Sequence, residues 1–161
     1  ALALLGAPTL NGPRRIRPYT FAPTHVHWGL DNRTVMARCI AEANFQGNRV
    51  ELRSAGADAN PYLIIAGVLA AGADGLNRQL DPGPMCLGDM YTNPGETEPL
   101  PTDIAGAVAA YEGSTLGAEL GDMFSESFVS IAKAEIALAA ENSPDADEVN
   151  DWERARYLEH S

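Results

Sequence analysis

The sequence is poor in cysteine and in long apolar runs, and each shortage excludes a class of protein. Its two cysteines, Cys39 and Cys86, are too few for a disulfide framework and lack metal-site spacing. We therefore expect a reduced protein of the cytoplasm. No apolar run approaches about 20 residues, so the sequence predicts no membrane-spanning helix.

Basic residues are also scarce outside the first third of the chain. The formal net charge is -11, which argues against nucleic acids and membranes as partners. Residues 1–53 nevertheless hold seven arginines against three acids, whereas residues 54–161 hold four basic residues against nineteen acids. Arginine suits planar, bidentate recognition of phosphate or carboxylate. This distribution predicts an arginine cluster around a small anion.

The pattern of apolar residues changes period near residue 60. Extended segments over 21–28, 33–40 and 48–53 are typical of strands. Asn60 followed by Pro61 is a favourable helix start, and residues 61–77 are apolar on almost every face, which predicts a helix buried all round. Antiparallel strands at about 20–53, followed by helices at about 60–158, predict an α+β fold in a single domain.

The third predicted strand carries charge on one face. Arg49, Glu51 and Arg53 alternate with Val50 and Leu52, so the charged side chains share one face and the apolar ones should point into the core. The charged face offers two anion-binding groups and one possible metal ligand. Taken alone, such a strand is more typical of a solvated surface with cross-strand ion pairs.

A longer constellation around this strand resembles the glutamine synthetase family. The resemblance is strong to about residue 76 and looser beyond it. It is carried by Pro8-Thr9-Leu10-Asn11 with Arg14-Arg15, by Trp28-Gly29-Leu30-Asp31-Asn32-Arg33 with Arg38, and by Arg49-x-Glu51-x-Arg53 followed by Asn60-Pro61-Tyr62.

The resemblance implies a domain assignment and an activity. Residues 1–161 would be a single partial domain, the C-terminal part of the catalytic domain, with the upstream part and an N-terminal β-grasp domain absent. The implied enzyme uses ATP to join ammonia or a primary amine to the γ-carboxylate of glutamate through γ-glutamyl phosphate. Family members form homo-oligomeric rings whose active sites lie between subunits, so we expect this part alone to be inactive.

The resemblance also implies roles for individual residues. Arg33, Arg38 and Arg49 match ATP phosphate-binding positions, and Arg33 and Arg53 match catalytic ones. Arg15 and Arg53 match glutamate-binding arginines. Glu51 matches a ligand of Mg²⁺ or Mn²⁺, and a carboxylate oxygen suits such hard cations. Because Arg33 and Arg38 are five residues apart, a bulge or a strand end must separate them if both reach one ligand.

One departure from the family pattern concerns the amine. A glutamate commonly precedes Ala-Pro on the flap over the ammonium site, whereas this chain has Phe21 before Ala22-Pro23. A phenyl ring accepts no proton from ammonium and suits an alkyl or aryl group. Together with the segment 56–60, this feature is closer to the γ-glutamylamine ligase branch. Tyr91 lies near a tyrosine that some bacterial members nucleotidylate, but its surroundings match poorly.

Two alternatives remain open from the sequence. The chain could belong to a non-catalytic relative that keeps the arginines as an anion- or nucleotide-binding module. His25-x-His27 could bind Zn²⁺, although no third ligand is evident and a hydrogen-bonded, pocket-lining role is the more common one.

Overall fold

The computed structural model describes residues 1–43, 45–143 and 148–158, which form a small three-stranded sheet and seven helices. This mixture confirms the α+β class. In chain order the elements are α1 Leu2–Gly6, α2 Asn11–Arg14, β1 Trp28–Leu30, β2 Ala37–Ile40, β3 Arg49–Leu52, α3 Pro61–Asn77, α4 Ile104–Glu112, α5 Leu116–Leu120, α6 Asp122–Asn142 and α7 Asp151–Tyr157. No helix in these ranges has the length and apolarity needed to cross a membrane.

The three strands form one sheet in the order β1-β2-β3. β2 and β3 are antiparallel, with Arg38 opposite Glu51. β1 and β2 are parallel, so the expectation of antiparallel strands throughout is wrong for this pair. The connecting residues 31–36 do not form a hairpin. They bring the chain back so that the Ala37 amide donates to the His27 carbonyl at 3.0 Å.

Most of the segment 21–28, which was predicted to be the first strand, lies outside the three-stranded sheet. Its residues 24–26 pair with residues 98–100, with the Val26 amide donating to Glu98 at 2.7 Å and the Leu100 amide donating to Thr24 at 2.8 Å. Regular strand pairing begins only at Trp28. The long loop after α3 therefore supplies a sheet-like partner that periodicity alone does not reveal.

The apolar side of β3 is not part of a core within this chain. Val50 is 66% exposed and Leu52 is only partly buried, so the prediction that both point into the core is wrong for Val50. Among the described residues, no helix packs strongly against this sheet. The predicted connection from residue 44 to 48 falls partly on Asn44, which lies outside the described residues.

Helix α3 has the predicted bounds but not the predicted burial. It runs from Pro61 to Asn77, and the Asn60 side chain accepts hydrogen bonds from the Tyr62 and Leu63 amides at 3.0 and 3.3 Å. It packs against α1 and α5, yet Gly67 is its only buried residue. The expectation of a helix buried all round is therefore wrong for the described residues, among which the opposite face of α3 has no neighbour.

The core lies among helices α1, α4, α5 and α6, on one side of α3. Leu4, Leu5 and Tyr111 are almost fully buried there. A Cβ on Gly67 would lie 2.4 Å from Leu5, which explains this glycine as a site of close helix packing. No such contact surrounds Gly72.

Ser143 followed by Pro144 in the sequence predicts a helix start, but the last helix, α7, begins later. Asn150 is its N-cap and accepts a hydrogen bond from the Glu153 amide at 2.9 Å. Pro144 lies outside the described residues. Glu153 itself is fully buried and forms a bidentate pair with Arg14, at 2.6 and 3.0 Å. The C-terminal helix is thereby fastened to the loop that carries Arg15.

Candidate active site

The charged face of the sheet is centred on Glu51. Arg38 lies directly opposite it on β2, and the Arg38 Nη1 to Glu51 Oε2 distance is 2.9 Å. Arg53 approaches from the other side, with its Nε 3.4 Å from Glu51 Oε1. Glu51 is therefore a carboxylate held between two guanidinium groups, and its side chain remains 43% exposed.

The charges of the three arginines predicted to bind phosphate all act on a second carboxylate, that of Asp31. A hydrogen bond from Arg38, whose Nε lies 3.1 Å from Asp31 Oδ1, is the main reason that the pKa of Asp31 lies below its ordinary value. The charges of Arg33 and Arg49 act in the same direction. Asp31 is thus an acidic residue paired with Arg38 to which the sequence analysis gave no role.

Arg33 and Arg38 line one open cavity of about 540 Å³. β1 ends at Leu30, so Arg33 lies in the turn that follows the strand, whereas Arg38 lies within β2. A strand end separates the two arginines, as the sequence required, and no bulge is needed. Asn32 steadies the turn by donating to the Gly88 carbonyl at 2.8 Å.

Arg49 lies at the periphery of the predicted site. Its side chain is 58% exposed and donates to the Gly47 carbonyl at 2.6 Å, and it lies 3.7 Å from Glu42. It shares the charged face with Glu51, but its contacts are with the β2–β3 connection. Of the three charged residues predicted to share one face, Glu51 and Arg53 are therefore in contact with each other, whereas Arg49 is exposed to solvent.

The two arginines predicted to bind glutamate meet at the end of β3. Arg15 donates to the backbone carbonyls of Ser54 and Arg53, at 3.1 and 3.3 Å. The Arg53 side chain is only 9% exposed. It donates to the carbonyls of Arg33, Val35 and Phe21, the last at 2.6 Å. Arg53 thus connects the phosphate-side turn to the predicted amine-site flap.

The flap is an unusual turn around Phe21. The Phe21 side chain is 73% exposed. Both Tyr19 and Phe21 have a positive φ, 66° and 62°, which is uncommon for residues with a side chain. The Tyr91 hydroxyl donates to the Ala22 carbonyl at 2.9 Å. Sequence reasoning considered Tyr91 only as a modification site, because nothing in the local sequence links it to a turn 69 residues away.

The described ranges contain no complete metal site. In them, no group of three histidine, cysteine, aspartate or glutamate side chains is placed to hold an ion. Glu51 fits the role of one hard oxygen ligand, since it is exposed enough to reach a cation, but it needs further ligands from outside these ranges. His25 and His27 do not form a zinc site either. His27 is buried and its Nδ1 accepts from the Met36 amide at 3.2 Å.

The charged face, the flap and the arginines can be compared with known proteins. A family model described as the catalytic domain of glutamine synthetase matches residues 1–157. The γ-glutamylethanolamide synthetase GlnA4 of Streptomyces coelicolor is 37% identical over 98% of this chain and 32% of its own length. The glutamate–isopropylamine ligase of a Pseudomonas species is 35% identical over 94% of this chain and 32% of its own length.

Solved structures match as well. A structure titled as a GmaS/ADP complex superposes with a TM-score of 0.75 at 32% identity, covering 98% of this chain and 36% of that one. The chain thus spans about a third of the length of the relatives it matches. Because the family model covers nearly all of its residues, the chain belongs to the glutamine synthetase family and corresponds to part of the catalytic domain.

Proposed function

We propose that the whole protein is an ATP-dependent ligase that joins a primary amine to the γ-carboxylate of glutamate through γ-glutamyl phosphate. The observation that carries this proposal is the cavity that Arg33 and Arg38 both line, beside the tethered pair Arg15 and Arg53. Two anion-binding groups of arginines, joined by the Arg53 side chain, suit a reaction that brings a nucleotide phosphate to a carboxylate.

The phosphate side of the site supports phosphoryl transfer. Such transfer depends on positioning and on cations around the transferred group more than on covalent help from the protein. Arg33 and Arg38 line one cavity, and together with Arg49 they would hold the ATP phosphates. Arg33 would also neutralise charge on the transferred group. A similar protein has been solved with ADP, which is consistent with a nucleotide at this site.

The carboxylate side supports glutamate binding. Arg15 would hold the α-carboxylate of glutamate, and Arg53 would meet the γ-carboxylate and then the acyl phosphate. Bidentate arginine contacts fix both position and charge. Glu51 would be one ligand of Mg²⁺ or Mn²⁺, and such an ion supplies positive charge to the phosphate oxygens when bound.

The amine side favours a nucleophile larger than ammonia. The exposed Phe21 ring offers apolar surface and no proton acceptor, so it suits the alkyl or aryl part of an amine. The relatives named above carry ethanolamine and isopropylamine in their names. Ammonia is the alternative nucleophile, because its addition to the γ-carboxylate of glutamate gives glutamine, the product for which the family is named.

The proposal extends to the whole protein. This chain would act as part of a longer polypeptide in a homo-oligomeric ring of the cytoplasm, inactive by itself. Its share of the relatives' length and the incomplete metal site among its described residues both support this expectation.

The test is an amine panel on the full-length protein. Phosphate release from ATP, and the γ-glutamyl product, are measured with glutamate and either ammonia, ethanolamine, isopropylamine, putrescine or aniline. We expect amine-dependent release, with at least one alkyl- or arylamine preferred over ammonia. Release with ammonia alone would make the protein an ammonia ligase. No release with any nucleophile would support a non-catalytic anion-binding relative.

A further inference from the structure

The flap contains two strained residues within three positions. Tyr19 and Phe21 both have left-handed backbone conformations, which residues with a Cβ adopt at a cost in free energy. Such conformations persist only where the surrounding structure over-determines them, and they concentrate at functional sites. Both side chains are largely exposed, so burial of the rings does not explain the strain.

Side chains from three parts of the chain hold this turn. The Thr20 hydroxyl is 2.6 Å from the Arg15 carbonyl and 2.8 Å from the Arg17 carbonyl. Arg53 Nη2 donates to the Phe21 carbonyl at 2.6 Å. The Tyr91 hydroxyl donates to the next carbonyl, that of Ala22, at 2.9 Å. Thr20 lies within the turn itself and Arg53 directly follows β3, whereas Tyr91 contacts the turn from the loop after α3.

Tyr91 is itself held in place. Its amide donates to Asp89 Oδ1 at 2.9 Å, and the neighbouring Met90 amide donates to Thr34 Oγ1 at 3.0 Å. Its ring packs against that of Tyr19, with centroids 5.3 Å apart and planes inclined at 57°. Burial raises the pKa of the Tyr91 hydroxyl, and the charges of Arg53 and Arg15 oppose this rise.

We propose that Tyr91 is a positioning residue that determines amine specificity. Its hydroxyl and ring hold the turn from Tyr19 to Ala22, so that Phe21 is presented beside Arg53 as a fixed apolar wall for the alkyl or aryl group of a primary amine. This inference rests on the proposed ligase function. It assigns the Tyr91 hydroxyl to a structural hydrogen bond, and not to modification by a nucleotide.

The experiment compares Tyr91→Phe with Tyr111→Phe in the full-length protein. Tyr111 is a matched control, since its hydroxyl is also hydrogen-bonded, 2.8 Å from Ser125 Oγ, but within the helical core. For each variant we measure kcat and KM with the preferred amine, ammonia, glutamate and ATP. Tyr91→Phe should raise the amine KM about fivefold, the value of one ordinary hydrogen bond, with the ATP KM unchanged.

Tyr91→Phe should also narrow the preference for the chosen amine over ammonia, whereas Tyr111→Phe should leave that preference unaltered. Tyr91→Ala, which also removes the ring contact with Tyr19, should lose more of the preference for the amine over ammonia. Tyr91→Phe keeps the ring and should therefore retain more of this preference than Tyr91→Ala. An unchanged amine preference in both Tyr91 variants would overturn the inference. Equal increases in the KM for amine, glutamate and ATP would also overturn it, since they indicate a general structural role.

Failure of the proposed ligase function can be distinguished from failure of the proposed role of Tyr91. If the wild-type full-length protein releases no phosphate with any amine or with ammonia, the ligase proposal is wrong before any variant is compared. If the wild type is active and both Tyr91 variants keep its amine preference, only the role of Tyr91 is wrong.

Discussion

Position 21 carries the side chain that would face the incoming nucleophile. Replacing Phe21 by glutamate places a carboxylate on the exposed flap, where it can accept a hydrogen bond from ammonium. We expect Phe21→Glu in the full-length protein to gain ammonia use relative to alkylamines, by about tenfold, the effect of one charge-assisted hydrogen bond. The amine panel with phosphate release measures this shift.

Phe45→Glu is the matched control for that change. Phe45 is 79% exposed and has a φ of 59°, close to the 73% and 62° of Phe21, but it lies in the β2–β3 connection. The same substitution in the same backbone conformation should leave the amine ranking unchanged there. If Phe21→Glu leaves the ranking of the amines unaltered, Phe21 is not part of the amine site.

Glu51 is the residue whose charge is needed most under the proposed function. Glu51→Gln keeps the shape of the side chain but removes a negative oxygen ligand for a hard cation. We expect turnover to fall at least about 100-fold and to recover in part at high Mg²⁺, because the weakened site is then filled by mass action.

The comparison is with Glu141→Gln, an exposed residue near the end of α6, which should retain wild-type activity. Near-normal turnover of Glu51→Gln at low Mg²⁺ would contradict the ligand assignment. A loss of activity that is independent of Mg²⁺ would instead point to the ion pairs that Glu51 makes with Arg38 and Arg53.

The predicted site residues could be named from the sequence because the spacing of their motifs is local and specific. The arginines and Glu51 stand at fixed intervals around the Asn60-Pro61-Tyr62 segment. Tyr91 and Asp31 were not assigned to the site in this way. Their contacts are with residues distant in sequence. Nothing in the local sequence around Tyr91 predicts its hydrogen bond to the Ala22 carbonyl.

At the scale of elements, helix α3 offers a local prediction. Asn60 accepts hydrogen bonds from the Tyr62 and Leu63 amides, two donors that a helix start otherwise leaves unpaired. Asn60→Ala should cost about 1 kcal/mol of helix stability. In the full-length protein, hydrogen exchange should accelerate about fivefold at these amides.

Asn77→Ala, at the other end of the same helix, serves as the control and should leave exchange at the helix start unaltered. Equal protection of the Tyr62 and Leu63 amides in Asn60→Ala and wild type would show that packing, and not the cap, fixes this helix start.

Helix α3 and the sheet differ in how well their sequences specify them. The start of α3 is set by side chain to backbone contacts within three residues, so its bounds follow from the sequence. Strand direction has no such local signal, and alternation over 21–28 could not show that residues 24–26 would pair with residues 98–100.

At the scale of the whole molecule, the Arg14–Glu153 pair connects the two ends of the described chain. Burial alone would raise the pKa of Glu153, but hydrogen bonds from Arg14 and Ser143 outweigh it and leave the pKa below its ordinary value. A carboxylate with a lowered pKa in the folded state stabilises the protein above its unfolded pKa, near about 4.3. That stabilisation is lost as the pH falls through the lower pKa of the folded state.

Glu153→Gln should therefore lower the free energy of unfolding at pH 7 by about 3 kcal/mol, because it replaces the buried carboxylate that pairs with Arg14 by a neutral amide. The difference from wild type should shrink as the pH falls below about 4.3. Urea unfolding of the full-length protein as a function of pH measures both effects.

Asp151→Asn, in the same helix, removes an exposed ion pair with Arg154 and should change stability by less than about 1 kcal/mol. A Glu153→Gln variant as stable as Asp151→Asn would show that the buried pair does not fasten the C-terminal helix to the Arg15 loop.

The sequence by itself determined the family, the α+β class and the bounds of α3, and it predicted the roles of the arginines and of Glu51. These properties depend on residue types at short spacings. Only the tertiary structure decided the parallel pairing of β1 with β2, the exposure of Val50 and of one face of α3, and the hold of Tyr91 on the flap. Each of these depends on which distant segments lie in contact, and a local pattern carries no record of its distant partners.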